Sequence, residues 1–363
     1  MNALFGVANN PWMCIAAFVV ALVLAFVSTP QVKKLAYKVG AIDVPKDARR
    51  MHKVPIPRLG GLAIFIGFFV AVMFFVPMNP QLQGVMVGAI IIVVLGCIDD
   101  ALALSAKVKL AGQLIAACIP VLAGVRIEAI TNFLPVGGEY LVFGVLSIPI
   151  TIIWIVGITN AVNLIDGLDG LAVGISFIAA ACLLIISLIV SDTYVALVMA
   201  ALTGACLGFA PYNLNPAKIF MGDTGAMFLG YILAVFSIQG LFKMYAVISF
   251  AVPFLILGLP IFDTTFAIIR RLLKGQSPMH PDRGHLHHRL IDMGFSQKQA
   301  VAILYAMSTL LGLSAVFLTN AGALRSMLLL LTVIVVSFIA FLIFNMESKK
   351  QKEEEENKED KTN

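Results

Sequence analysis

Two amides and two carboxylates crowd the stretch Asn160-Ala-Val-Asn-Leu-Ile-Asp-Gly-Leu-Asp-Gly170. Side-chain oxygens at this density suit a hard cation such as Mg²⁺. Gly167 and Gly170 let the backbone turn tightly or approach a ligand closely. The stretch lies between two long apolar runs, so a plain polar connector is the competing reading.

Other loops carry groups that could act on the same ligand. Asp99-Asp100 closes one apolar run, and Lys107 and Lys109 open the next. Adjacent acids repel unless a cation or donor compensates, so the pair marks either a solvated helix end or a partner. Across a short turn the pair would face Lys109, an arrangement suited to a metal-bridged or lysine-clamped diphosphate. In Phe220-Met-Gly-Asp-Thr-Gly225, Asp223 precedes another apolar run. Backbone N–H groups at a helix start point at anions. Asp223 could cap that helix, hold the cation the anion shares, or do both. The sequence has no Walker motif, which argues against a P-loop ATPase.

All but His52 of the five histidines lie in His280-Pro-Asp-Arg-Gly-His-Leu-His-His288. Zinc is the alternative for such a cluster. No cysteine lies nearby, and Arg283 and Arg289 flank it, which favours a loop that binds an anion and shapes a substrate. In the basic segment 41–61, Lys46, Arg49, Arg50, His52 and Arg58 are candidates for phosphate contact. Lys33, Lys34 and Lys38 read as topology signals.

The elements that must position these loops are membrane spans. The chain has 363 residues, 60% of them hydrophobic and 12% charged, with mean hydropathy +0.98. Soluble domains carry roughly 25% charged residues. Apolar runs lie near residues 11–29, 60–77, 83–98, 110–125, 143–158, 171–190, 194–210, 227–239, 245–262, 300–318 and 325–345. They predict one all-α, polytopic membrane helical bundle of about eleven spans over 1–345. The mixed-charge segment 346–363 reads as a disordered solvated tail. The five cysteines fall in apolar runs and read as small core residues. No Lys or Arg precedes Lys33, so the first span is expected to stay rather than be cleaved.

Charge sorts the loops by side. All but Arg126, Lys243 and Arg325 of the 25 Lys and Arg fall on one side of such a bundle. That side is cytoplasmic by the positive-inside rule, which puts the N-terminus outside and the C-terminus inside. All but Glu128, Glu139 and Asp192 of the 20 acids lie there too, with every histidine. Carboxylates do not follow the positive-inside rule. A shared active site is the simplest reason for their gathering.

Taken together, Asp99-Asp100, the Asn160–Gly170 stretch, Phe220-Met-Gly-Asp-Thr-Gly and His285-Leu-His-His resemble the polyprenyl-phosphate N-acetylhexosamine-1-phosphate transferases. The resemblance runs from about Asp43 to Ser296, with the motifs in order. It implies a helical bundle in the bacterial cytoplasmic membrane with a cytoplasmic site. It implies transfer of a sugar 1-phosphate from a UDP-sugar to undecaprenyl phosphate, releasing UMP, with Mg²⁺ or Mn²⁺. The resemblance gives Asn163 and Asp223 as metal ligands, and Asp99, Asp100, Asp166 and Asp169 as catalytic acids, with Asp166 to Asp169 near the uridine. It gives His285, His287 and His288 as the loop that shapes the sugar site. Lys109, Asn160, Asn213, Arg58 and Arg283 are assigned to substrate, Lys109 to the diphosphate and Asn213 to the uridine. The peptidoglycan branch, which takes UDP-MurNAc-pentapeptide, typically carries three consecutive histidines. His285-Leu-His-His288 looks like the UDP-GlcNAc branch, whose members start teichoic acid and related polymers.

The chemistry can also be argued from the residues. Attack of one phosphate on a diphosphate gathers negative charge, which a bridging metal, Lys109 and loop arginines would offset. The acceptor lipid confines the site to the membrane surface, its chain in an apolar groove between spans. A secondary transporter is the alternative from another class, but its site would lie near the bilayer midplane. Here the polar groups cluster at one edge. Nucleic acid is not an expected partner, and nothing in the chain excludes a homodimer.

Overall fold

The computed structural model describes residues 11–45, 54–131, 140–241, 248–273, 275–277 and 284–320, with Thr332 and Val335. Twelve helices follow in order among them: α1 (Pro11–Val39), α2 (Gly61–Phe75), α3 (Pro80–Leu102), α4 (Ala106–Leu122), α5 (Ser147–Ile165), α6 (Leu171–Ile189), α7 (Thr193–Asn213), α8 (Gly222–Leu241), α9 (Ile248–Ile256), α10 (Gly258–Leu273), α11 (Leu286–Asp292) and α12 (Gln297–Asn320). Six of these (α1, α3, α5, α6, α7 and α12) are long and apolar enough to cross a membrane, and α2 is a shorter apolar helix. The protein is a polytopic helical membrane protein.

Helix α8 forms the centre of the bundle. It packs against α2, α3, α5, α6, α7 and α9, and Phe228, Tyr231 and Phe236 are wholly buried. Helices α3, α5 and α7, which bear Asp99, Asp100, Asn163 and Asn213, therefore meet α8. Between α1 and α7 the fit depends on small residues. A Cβ on Gly204 would stand 2.1 Å from the Phe18 carbonyl oxygen, and one on Gly208 would stand 2.2 Å from that of Leu22. Lipid tails are as apolar as leucine, so helices associate through such close packing rather than through hydrophobic drive.

Helix ends follow local chemistry. Asn79 caps α3 by accepting from Leu82 N at 2.7 Å, with Pro80 in the first turn. Ala103, at φ 53°, ends the same helix in the left-handed region. Asp192 caps α7 in the same way, accepting from Val195 N at 3.1 Å.

Several expectations need correction. Helix α1 does not stop at 29. It passes Pro30 and carries Lys33, Lys34 and Lys38 to Val39, where Gly40 at φ 74° ends it. One proline is tolerated in a membrane helix when its surroundings satisfy the freed carbonyl. The run at 245–262 is not one helix but two, α9 and α10. Pro260 supplies no N–H to the turn before it, and the chain breaks at Leu257. Helix α10 then continues to Leu273, and the unforeseen α11 follows it. The all-α expectation holds for the bundle but misses two short antiparallel pairs. These are β1 (Ile42–Asp43) with β2 (Ile56–Pro57), and β3 (Ala129–Thr131) with β4 (Tyr140–Val142). The expected span at 325–345 and the tail at 346–363 lie outside the described residues, Thr332 and Val335 apart.

Candidate active site

The start of α8 is the meeting point. Gly222, at φ 71°, turns the chain into the helix, and a Cβ there would stand 2.4 Å from Asp100 Oδ2. Only glycine meets both the angle and the contact. The preceding Phe220 pairs with the 57–61 segment: Phe220 N donates to Pro57 O at 2.8 Å, and Gly60 N and Gly61 N donate to Phe220 O and Met221 O. That pairing sets Arg58 beside α8.

Asp100 caps α8 from another helix. Its Oδ1 accepts from Asp223 N at 3.0 Å. Its Oδ2 accepts from Thr224 N at 3.0 Å and from Thr224 Oγ1 at 2.6 Å. Arg58 Nε adds an ion pair at 3.1 Å, and the Asp100 side chain is 0% exposed. Asp223 therefore does not cap its own helix, and its carboxylate is released for other partners. Those partners come from three directions. Asn163 Nδ2 donates to Asp223 Oδ1 at 2.5 Å, and Arg58 and Lys109 each approach Oδ2 at 3.5 Å.

Asp99 does different work from its neighbour. Its Oδ1 accepts from Leu104 N at 2.7 Å and fixes the turn into α4. Its Oδ2 accepts from Lys109 Nζ at 2.9 Å. Of the acid pair only Asp99 faces Lys109 across that turn; Asp100 turns into the cap of α8. The Lys109 ammonium stands between the Asp99 and Asp223 carboxylates, 2.9 Å from Asp99 Oδ2 and 3.5 Å from Asp223 Oδ2. Two carboxylates so placed need a proton or a cation between them. Oxygen donors from Asp223, Asn163 and Asp99 thus fit a hard dication. Among the described residues no group of three His, Cys, Asp or Glu side chains forms a complete cage. Such a set leaves coordination positions for phosphate oxygens and water.

A cleft of about 500 Å³ opens from this point. Arg58, Asn163, Asp166, Asp169, Asn213, Asp223 and His288 all line it, with Phe220 and Gln297. Asp166 follows the last turn of α5. Loss of hydration, with the negative charges of Asp223 and Asp100, pushes its pKa up to about 8 against the pull of Arg58. Asp169 Oδ2 accepts from Asn215 Nδ2 at 2.9 Å and from Ala217 N at 3.0 Å, which ties the 160–170 stretch to the loop after α7. Asn213 is buried and donates to Ile219 O at 3.0 Å, closing that loop at its base.

The histidine loop docks on the same stretch. Asp263 of α10 accepts from Leu286 N at 2.7 Å and pairs with His285 Nδ1 at 2.8 Å. His287 then lies over Gly167, where a Cβ would stand 2.2 Å from its Nε2. Burial and the neighbouring His288 and His285 push the His287 pKa down to about 3, so the ring is neutral at pH 7. From α12, Tyr305 Oη donates to Gly170 O at 2.5 Å and holds the far end of the stretch.

One candidate falls elsewhere. Asn160 does not line the cleft: it lies a turn deeper, where its amide donates to Gln113 Oε1 at 2.7 Å and Val156 O at 2.8 Å. Its donors are directed inside the bundle rather than into the cleft. Arg283 lies outside the described residues, as do Lys46, Arg49, Arg50 and His52. Sequence reasoning passed over Thr224, Asp263, Asn215 and Gln297. Asp263 carried a signal, because an acid at the end of an apolar run is functional by default.

Comparison with known proteins decides the family. The family model described as Glycosyl transferase family 4 matches residues 82–241. A probable undecaprenyl-phosphate N-acetylglucosaminyl 1-phosphate transferase of Bacillus subtilis is 43% identical over 308 residues, 85% of each chain. The chain belongs to glycosyl transferase family 4. A decaprenyl-phosphate N-acetylglucosaminephosphotransferase of Mycolicibacterium smegmatis is 36% identical over 78% of this chain and 77% of its own. A phospho-N-acetylmuramoyl-pentapeptide-transferase of Desulforudis audaxviator is 32% identical over 81% of this chain and 93% of its own. The residues matched by the glycosyl transferase family 4 model include Asp99, Lys109, Asn163 and Asp223, so the shared segment contains the convergence at α8. Membership also removes the transporter alternative.

Proposed function

We propose that the protein transfers GlcNAc-1-phosphate from UDP-GlcNAc to undecaprenyl phosphate, giving undecaprenyl-diphosphate-GlcNAc and UMP. The observation that carries the chemistry is the convergence of Lys109, Arg58 and Asn163 on Asp223 at the mouth of the cleft. The observation that carries the sugar is the higher identity to the N-acetylglucosamine relative than to the muramoyl-pentapeptide one, together with His285-Leu-His-His288.

Asp223 and Asn163, with Asp99 beside them, would hold Mg²⁺ or Mn²⁺. When bound, the cation supplies charge neutralisation on the diphosphate. Lys109 and Arg58 add fixed positive charge at the same place and require no reorganisation as charge builds up. Asp99 orients Lys109. Asp100 holds the α8 start, and with it the Asp223 carboxylate, in register. Asp169, Asn213 and the loop after α7 form the cleft wall assigned to the uridine. His288 lines the opposite lip, backed by His287 and His285, as the wall for the sugar.

The acceptor needs a path from the bilayer. A second hollow of about 400 Å³ runs along α5 against α9 and α10, lined by Ile153, Trp154, Ile158, Phe254, Ile261 and Ile268. It reaches Ala161, two residues before Asn163 on α5 but on the opposite face of that helix, and suits the polyprenyl chain. The reading extends to eleven spans with the N-terminus outside, a cleft on the cytoplasmic face of the bacterial membrane, and an early step of a wall polymer such as teichoic acid. Purified protein in detergent, given undecaprenyl phosphate, UDP-GlcNAc and Mg²⁺, should release UMP. No release, or a higher kcat/KM for UDP-MurNAc-pentapeptide, refutes the assignment.

A further inference from the structure

Three site residues have partners one helical turn deeper in the membrane. Below Lys109 on α4 is Gln113. Below Asn163 on α5 is Asn160. Below Asp223 on α8 is Met227. These deeper residues touch one another. Asn160 Nδ2 donates to Gln113 Oε1 at 2.7 Å, and Gln113 Nε2 returns a contact to Asn160 Oδ1 at 3.3 Å. The same Gln113 nitrogen reaches Met227 Sδ at 3.2 Å. Gln113 is 2% exposed. Asn160 spends its remaining donor on Val156 O at 2.8 Å.

We propose that Gln113 and Asn160 are positioning residues: their reciprocal amide pair sets the register of α4 and α5 against α8, and so places Lys109 and Asn163 on Asp223. This rests on the reading of Asn163 and Asp223 as the cation-holding pair. Helix rise is 1.5 Å per residue, so the pair lies roughly 5–6 Å below the site. A slip of α4 by a fraction of a turn at that depth moves Lys109 by a similar distance. The partly exposed ion pairs of Lys109 at the cleft hold that register only weakly. Apolar packing alone is also weakly directional in lipid. A two-way amide pair has one register, because a buried amide that loses its partner keeps the full cost of desolvation.

The test compares a broken pair with an exchanged one. Gln113→Leu leaves the Asn160 amide unpaired. It should lower the thermal midpoint of the metal-free protein, lower kcat at least tenfold, and raise the Mg²⁺ concentration that half-stabilises the protein against heat. The double variant Gln113→Leu with Asn160→Leu removes both amides, so the midpoint should recover while kcat and the Mg²⁺ response stay impaired. The exchange Gln113→Asn with Asn160→Gln keeps one long and one short amide, and should restore kcat to within a few-fold of the parent. Full kcat in the double leucine variant would show that the pair only fills space and would overturn the proposal. A stable exchange variant without recovered kcat or Mg²⁺ response would overturn it as well. A parent protein that releases no UMP from UDP-GlcNAc would instead defeat the proposed function, and the Mg²⁺ response of the midpoint would still test the pair.

Discussion

Replacement of Asp100 by asparagine separates two views of the acid pair. In one view an aspartate is the base that deprotonates the lipid phosphate. In the other the pair positions groups that do the chemistry. The second follows from the contacts: Asp100 accepts from Asp223 N, Thr224 N, Thr224 Oγ1 and Arg58 Nε, with a fully enclosed side chain. Asparagine keeps one oxygen. Its amide N–H groups must then face either Asp223 N and Arg58, or Thr224. Facing Asp223 N and Arg58 it loses two interactions; facing Thr224 it loses one, because the hydroxyl can turn and accept; either way one buried backbone donor is left without an acceptor. Hydrogen bonds to a charged group contribute about 1.5–3 kcal/mol each, and a stranded donor costs about 1–3 kcal/mol. The cheaper orientation then costs about 2.5–6 kcal/mol, shared between stability and the placement of Asp223. At 1.36 kcal/mol per tenfold, activity should fall by roughly 100- to 1,000-fold.

The assay is UMP release from UDP-GlcNAc with undecaprenyl phosphate, run from pH 6 to pH 9 beside a thermal midpoint. A phosphate monoester has a second pKa near about 6, so most acceptor is already dianionic at pH 7 to 8. A missing base would therefore matter less as pH rises, whereas a missing cap matters equally throughout. Asp100→Asn should be impaired across the range and should melt several degrees lower. Recovery to near the parent rate at pH 9, with an unchanged midpoint, refutes the positioning argument.

Asp223→Asn should lower activity by orders of magnitude and blunt the response to Mg²⁺, because a neutral amide is a poorer ligand for a hard dication; an unchanged metal titration in a folded variant removes Asp223 from the site. His287 is held neutral by burial, with its pKa down near about 3. Its contribution is present above the unfolded pKa of about 6.5 and is lost as pH falls toward 3, at up to about 1.4 kcal/mol per pH unit. His287→Gln should flatten that slope between pH 6.5 and 5, and an identical slope in the variant contradicts the burial argument. Single cysteines at Asn215 and Ser277, in a Cys-free background, should resist an impermeant thiol reagent added outside intact cells; ready labelling at both refutes the topology.

The legible parts of this protein were those that a local pattern encodes. Apolar length located the six helices long enough to cross a membrane, and the motif loops stood out because oxygen-rich side chains are rare in so apolar a chain. The unread parts depend on contacts between distant segments. Nothing near Asp100 shows that its partners are the N–H groups of residues 223 and 224. Nothing in the 160–170 stretch shows that Asn160 and Asn163, nearly one turn apart on a helix, look into different surroundings. The break between α9 and α10 was legible in principle, since Pro253, Gly258 and Pro260 stand together, but an apolar run hides such punctuation. Two carboxylates written side by side, Asp99 and Asp100, look equivalent in sequence. Helix geometry turns them about 100° apart, one toward Lys109 and one into the cap of α8.

Asp166 exposes the cost of gathering these acids. Its carboxyl is half-buried at the cleft wall and shares the field of Asp223 and Asp100, which raises its pKa to about 8. For an acid raised in this way the folded state holds the proton more tightly than the unfolded chain. The sign is therefore the reverse of a salt-bridged aspartate: stability falls as pH rises from about 4 toward 8. Asp166→Asn replaces the charge with a neutral group of the same shape. In the metal-free protein at pH 8 the variant should melt a few degrees higher than the parent. At about pH 4 and below, where the carboxyl is protonated in the unfolded chain as well, the difference should vanish. Mg²⁺ should close the gap from the other side, because a cation near Asp223 relieves the same repulsion in the parent and has less to relieve in the variant. Activity should nonetheless fall, as expected where a strained site trades stability for function. A variant that melts lower than the parent at pH 8 without metal refutes the repulsion argument, and one that keeps full activity removes Asp166 from the chemistry.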